Sequence, residues 1–254
     1  MGSDMSNFGT TDFDYRVALG LVPGYSTWNK FGYNPDIDIG TEVIAQFGGT
    51  YVPRKTASTL SLVSSAAADN SAGTGAEFIV LTGVDDSWNM VTELVPLNGL
   101  TPVTTTASFY GVNRASVYLS GSSYANVGTI TITSTDDASI QATMPATQGS
   151  TQQAIFWTPA ANTFLVSGLF LNALKISGGG TPRIELKGYV YSDVSDAKYE
   201  VLRLDQDLGV DNNIKLDLGV PFVIGERSCF WLEVTTNTNN TAVNARFSGV
   251  LVAN

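Results

Sequence analysis

The feature that most constrains this chain is a two-residue hydrophobic period, recurring in short runs that end at turn-forming residues. Arg183-Ile184-Glu185-Leu186-Lys187-Gly188-Tyr189-Val190-Tyr191 shows it most clearly. Ile184, Leu186 and Val190 fall on one side, and Arg183, Glu185, Lys187, Tyr189 and Tyr191 on the other. A strand sends successive side chains to opposite faces, so this period reads as half-buried β-structure. The same signal runs through Thr59–Ser64, Ala76–Gly83, Val91–Leu97, Ser108–Val112, Ala115–Leu119, Gly128–Thr133 and Ser139–Met144. Val91–Leu97 carries Pro96, which has no N–H for a ladder, so it reads as an edge strand. Turn residues separate these runs at the spacing of an antiparallel sandwich or barrel.

Further along, Ala154–Thr158, Thr163–Ile176, Phe222–Ile224 and Phe230–Val234 continue the pattern, with Thr163–Ile176 as two strands or one long bent strand. The last run, Val243–Leu251, is expected to bury Val243, Ala245, Phe247 and Leu251. Only Asp193–Asp207 could hold a helix, and its Tyr199–Leu204 favours a strand. The polar segment Ala146–Gln153 reads as a linker. The expectation is therefore an all-β chain of two antiparallel β-sandwich or jelly-roll-like domains, residues 51–147 and 148–254. They follow an extended aromatic docking arm over residues 1–50. In that arm the only alternating stretch is Tyr15 to Leu21, and Pro23 and Pro35 interrupt any long element.

Composition narrows the function. There is no histidine among 254 residues, which removes Ser-His-Asp and Cys-His catalysis and the commonest zinc ligand. The one cysteine, Cys229, lies in an apolar run and reads as an inert buried thiol. No catalytic residue, cofactor site or metal site is assigned. Charged residues make up only 14%, and the net charge is −10. That field repels nucleic acid and anionic membranes, and the 13 Lys and Arg form no basic run. No apolar run is long enough to span a bilayer. The N-terminus lacks the layout of a signal peptide, so synthesis and residence in a reducing cytoplasm are expected.

Several local patterns bear on chemistry. Asp205-Gln206-Asp207-Leu208-Gly209-Val210-Asp211 faintly resembles a calcium loop, but its glycine is fifth and its twelfth position is Leu216, so an acidic turn is the better reading. Asp36-Ile37-Asp38 is a lone carboxylate pair of the usual solvated kind, and Asp85-Asp86 and Asp136-Asp137 are turn residues. A glycosidase would need two carboxylates facing each other across a cleft, and nothing singles out such a pair. Gly178-Gly179-Gly180 precedes a strand and lacks phosphate-loop spacing. The most unusual cluster is Tyr25, Trp28, Phe31 and Tyr33. It either folds back on its own core, or anchors another chain, or stacks on sugar. Exposed Trp88, Trp157 or Trp231 on one sheet face would favour the sugar.

The same cluster carries a family resemblance. Gly24-Tyr25-Ser26-Thr27-Trp28-Asn29-Lys30-Phe31-Gly32-Tyr33-Asn34-Pro35-Asp36, followed by Gly40-Thr41-Glu42, resembles the opening of a family of tailed-bacteriophage virion proteins abundant in marine phages. The similarity extends through Gly48–Tyr51, Ala57–Ser61, Leu97–Gly99, Thr101–Thr106 and Asn126–Ile130, and returns at Val243–Asn254. It covers residues 150–235 only loosely. The resemblance implies a structural protein of the virion, made in the host cytoplasm and displayed on the capsid exterior as a decoration protein, head fibre or spike. It brings no catalytic residues. It implies other virion proteins as partners, the major capsid protein first among them, and by analogy a homotrimer. A carbohydrate-binding adhesin bound to surface glycan, or a tail or neck component of the same particle, are the alternatives.

Overall fold

Alternating sequences pair where their apolar faces can share one core, and the computed structural model shows which runs do so. It describes residues 13–178, 180–207 and 213–254. Helix α1 (Phe13–Ala18) precedes sixteen strands. These are β1 (Tyr25–Ile37), β2 (Gly40–Val43), β3 (Leu60–Ser64), β4 (Ala76–Asp85), β5 (Met90–Pro96), β6 (Val103–Thr104), β7 (Phe109–Ser120) and β8 (Ile130–Ser134). They continue with β9 (Ile140–Met144), β10 (Ile155–Thr158), β11 (Asn162–Lys175), β12 (Arg183–Ser192), β13 (Ala197–Asp207), β14 (Asn213–Ile224), β15 (Ser228–Thr236) and β16 (Thr241–Ala253). Every ladder among them is antiparallel. The all-β expectation holds.

Four sheets result. Residues 60–144 supply two, ordered β6-β3-β8-β9 and β5-β4-β7. Between them lies a cluster that includes Leu60, Leu62, Ile79, Leu81, Phe109 and Ile132, all fully buried. The strands before and after that stretch form the other two sheets, β1-β16-β11-β14 and β10-β15-β12-β13, with β2 added on β15. Phe156, Phe164, Phe230 and Phe247 fill the space between this second pair. A third cluster lies where the two pairs meet. Trp88 and Tyr110 stack there with ring centres 4.2 Å apart, and the Trp157 indole donates to the Tyr51 hydroxyl at 3.1 Å.

The extended arm is corrected by the register. Tyr25 to Asn34 pairs without a break against Val252 to Val243, and β2 pairs with β15. Residues 25–43 are therefore sheet strands built into the main core. Their inward face is Trp28, Lys30, Gly32 and Asn34, which shows no apolar alternation, so the strand is invisible to a hydrophobic period. A Cβ at Gly32 would collide with the Ile44 carbonyl and the Ala154 backbone, which is why glycine stands there. The register slips by one residue between Asn34 and Ile37, around Pro35, which cannot donate to the ladder. The alternation over Tyr15–Leu21 is also corrected: Phe13–Ala18 is helical, and Val17 is the buried one among its described side chains. Phe8, also an arm aromatic, lies outside the described residues.

Three other expectations come out as read, whereas Ser108–Val112 and Ala115–Leu119, expected as separate strands, are the single β7, and the linker is corrected as well. Val91–Leu97 is the edge strand β5, and Thr163–Ile176 is the single long β11, bent at Ser167 by a slip against β16. Within Asp193–Asp207 a turn leads into β13 (Ala197–Asp207), and no part is helical. Ala146–Gln153 is not a loose connection: Gln153 is buried, and its amide donates to the Val112 carbonyl at 2.7 Å.

Candidate interaction surface

The four aromatics singled out by sequence lie on β1, but not on one face. A strand alternates, so Tyr25, Phe31 and Tyr33 share the outer face with Asn29. Phe31 is 47% exposed and Tyr25 38%. Trp28 turns inward and packs on Phe156 with ring centres 5.0 Å apart. For Trp28, folding back on its own core is the outcome. Tyr25 meets Phe13 of α1 edge-on at 5.4 Å, which ties the helix to the start of the strand.

Register then places residues far apart in sequence beside this cluster. Phe31 lies opposite Arg246, Arg246 opposite Phe170, and Phe170 opposite Lys215. These four form one row across β1, β16, β11 and β14, and all four are exposed. The adjacent row is Tyr33, Asn244, Asn172 and Asn213. Its amides form a ladder, Asn244 donating to Asn172 at 3.2 Å and Asn172 to Asn213 at 2.8 Å. On the other flank Gly168 has no side chain, and a depression of about 490 Å³ opens over it between Phe31, Phe170, Lys215 and Arg246. The surface is thus a sheet face with two exposed phenyl rings, two cations and an amide ladder.

Two arginines converge on Asn29 at this face. Arg246 donates to the Asn29 side-chain carbonyl at 2.8 Å. Arg114 donates to the Asn29 backbone carbonyl at 2.8 Å and stands 5.9 Å over the Trp28 ring. Among the described residues the ion pairs engage Arg54, Lys55, Arg183, Lys187, Arg203 and Arg227, and neither Arg246 nor Lys215. Behind the face, Lys30 is buried and donates to the Asn113 carbonyl. Burial first, then repulsion from Arg114, lowers its pKa to about 7, against a small opposing effect of Cys229.

The remaining sequence candidates have structural work. Asp85 accepts from the backbone N–H of Ser87 and Asn89 at 2.9 and 2.8 Å, which closes the β4–β5 hairpin. Asp136 and Asp137 face Arg54 at 3.4 and 3.6 Å. Hydrogen bonds from Ser139 hold the Asp137 carboxyl at about 2. Asp36 and Asp38 are exposed. Asp205 pairs with Arg183, and residues 208–212 of the acidic turn lie outside the described residues. Gly179 of the triple glycine does as well. Among the described residues no three of His, Cys, Asp and Glu gather as a metal would need. Cys229 is buried with its sulfur 3.8 Å from the Tyr51 hydroxyl, and burial pushes its thiol pKa up. Trp88, Trp157 and Trp231 are 4%, 0% and 0% exposed, so none offers a ring face to sugar. No helix among the described residues is long and apolar enough to cross a membrane.

Sequence reading missed two features. One is the row Arg246–Phe170–Lys215, which only strand pairing assembles. The signal for Arg246 was present: it sits between the inward residues Ala245 and Phe247. The other is Asp69, fully buried in the loop after β3. Its carboxylate accepts from the Ser64 hydroxyl at 2.6 Å and from the N–H groups of Ala76, Val127 and Gly128 at 2.8 Å each. One carboxylate so ties the start of β4, in the facing sheet, to the ends of the paired strands β3 and β8.

No family model and no curated protein matches the chain. Among solved structures, the crystal structure of the infectious bursal disease virus VP2 subviral particle is 11% identical, with 96% of this chain and 78% of that one covered and a TM-score of 0.25. The structure of T=1 particles derived from the same virus is 9% identical, with 94% and 74% covered and a TM-score of 0.25. The Gt strain structure of that virus is 11% identical, with 95% and 78% covered and a TM-score of 0.20. TM-scores this low do not establish a shared fold.

Proposed function

We propose that this chain is a structural component of a virion that works by holding another protein chain rather than by turning over a substrate. The observation that carries the reading is the outer face of β1 and its neighbours, where Phe31, Phe170 and Tyr33 stand beside Arg246 and Lys215, neither of which forms an ion pair among the described residues. Exposed aromatic and arginine side chains on a regular sheet are the residue types that dominate protein contacts. The sequence resemblance to tailed-phage virion proteins supplies the setting: the capsid exterior, as a decoration protein, head fibre or spike. Other virion proteins are then the partners, with a homotrimer as the assembly. Within the cluster Tyr25, Phe31 and Tyr33 make the contact, and Trp28 holds β1 on its own core.

The test is direct. Particles of the encoding phage, purified on a density gradient, are expected to contain this chain in constant ratio to the major capsid protein through the particle peak. Its absence from intact particles would end the virion reading. Loss of Phe31→Ser/Tyr33→Ser chains from particles, with the variant folded and soluble, would support the assigned face.

A further inference from the structure

We infer that the free edge of β13 pairs with β13 of a second copy of this chain, antiparallel about a two-fold axis between Val201 and Leu202. The contact is separate from the outer face of β1, which lies at the other flank of the same pair of sheets. Strand β13 ends the order β10-β15-β12-β13 and pairs only with β12 among the described residues. From Ala197 to Asp205 no backbone hydrogen bond reaches any other described segment. An open edge of this kind is a template for another strand. Neighbouring edges are blunted. Strand β14 leaves its ladder over residues 218–221, which include Pro221, and β5 carries Pro96.

The order of residues in β13 supplies the occupant. An axis between Val201 and Leu202 sets Lys198 opposite Asp205 of the second copy, Glu200 opposite Arg203, and Tyr199 opposite Leu204. Each charge meets its opposite, and the aromatic meets an aliphatic side chain. Residues opposite one another in an antiparallel pair share a face. In an unbroken strand this register would fail, because it matches even positions with odd ones. Strand β13 is broken: Glu200 lies opposite Tyr189 and Leu202 opposite Gly188, so Val201 is the extra residue of a bulge. Lys198 and Glu200 before it and Arg203 and Asp205 after it therefore share the outer face, and all four are exposed. Tyr199 and Leu204 lie opposite the core residues Val190 and Leu186, on the inner face. The bulge that usually spoils an edge here brings β13 into phase with itself. Sliding the register by two residues either way sets Glu200 against Asp205 or Lys198 against Arg203, so like charges reject the neighbouring registers. Within one chain Arg203 already bonds Glu200 and Glu185. Across the axis the two Glu200–Arg203 couples would stand side by side with signs alternating. The contact is isologous and leaves the outer face of β1 free, so it is compatible with three-fold contacts and would join neighbouring trimers in pairs.

The test is sedimentation velocity of the full chain over a concentration series, with two charge-reversed variants. Wild type is expected to double its mass reversibly as concentration rises, from monomer to dimer or from trimer to paired trimers. Hydrogen exchange at the β13 amides should slow as the mass doubles. Lys198→Glu places two like-charge pairs across the axis, and so does Asp205→Lys. Each should weaken the association roughly five- to thirtyfold. Mixed one to one, the two variants should associate about as tightly as wild type, because both cross-axis pairs are then of opposite sign. A folding defect in either variant could not produce that rescue. A wild type that never doubles would overturn the inference, as would variants that associate like wild type or a mixture no tighter than its parts. So would β13 amides protected only in intact particles, which would make a different chain the occupant. These outcomes stand apart from the virion assignment, which the composition of particles tests.

Discussion

Lys30 offers an unusually clean measurement. Its ammonium is buried beneath β1, donates to the Asn113 carbonyl, and has no carboxylate within ion-pair distance among the described residues. The charged groups that act on it are Arg114 of β7, which repels it, and Cys229 of β15, which as a thiolate would attract it. Its pKa falls from 10.5 to about 7. Between those values the unfolded chain carries the proton and the folded chain does not. Stability must therefore rise with pH, starting near pH 7. Each pH unit is worth about 1.4 kcal/mol for one group, so the gain from pH 7 to pH 9 is about 2–3 kcal/mol. The window closes near pH 9, where Cys229 and Tyr51 begin to act with opposite sign. Both have raised pKa values in the folded chain, so they ionise first in the unfolded one. No histidine titrates within the window, because there is none. Urea melts of the wild type and of Lys30→Met across this range give the answer. The variant is at least as stable at pH 7, and its advantage should shrink by about 2–3 kcal/mol by pH 9. Parallel pH profiles for the two proteins would refute a neutral buried lysine.

Other predictions test the packing. Asp69→Asn should lower stability by about 3 kcal/mol or more, because a buried carboxylate with four donors becomes an amide that cannot accept from all of them; chemical denaturation checks it, and a loss below about 1 kcal/mol would contradict the role. Gly111→Ala should cost at least about 1–3 kcal/mol, since its Cβ would overlap the Trp157 indole with no flexible atom to give way. A changed tryptophan emission should accompany that loss, and an unchanged melting point would contradict it. Cys229 should resist a thiol reagent in native buffer and react fully in denaturant; prompt native labelling would show that its burial is wrong.

Much of the sheet structure was legible because its strands bury clean apolar faces. Val243, Ala245 and Phe247 alternate inward as read, and so do Ile184, Leu186 and Val190. β1 was illegible for a physical reason. Its inward residues Lys30, Gly32 and Asn34 serve polar and close-approach contacts, so its hydrophobic pattern points outward. Phe31 and Tyr33 were found because they break the usual distribution of aromatics. Arg246, Phe170 and Lys215 could not be joined to them without the register, since Phe31 and Arg246 meet across 215 residues of chain, as do no neighbours in sequence. Asp69 was hidden because a carboxylate after a run of alanines looks like any exposed turn, and only its four donors reveal it.

We propose the outer face of β1 as the place where this chain holds another protein. A reconstruction of intact particles at side-chain resolution tests it most directly. The expected map shows this chain in the particle with Tyr25, Phe31, Tyr33 and Arg246 covered by protein density. A particle that shows the same face open to solvent, with the chain attached through other residues, would contradict it.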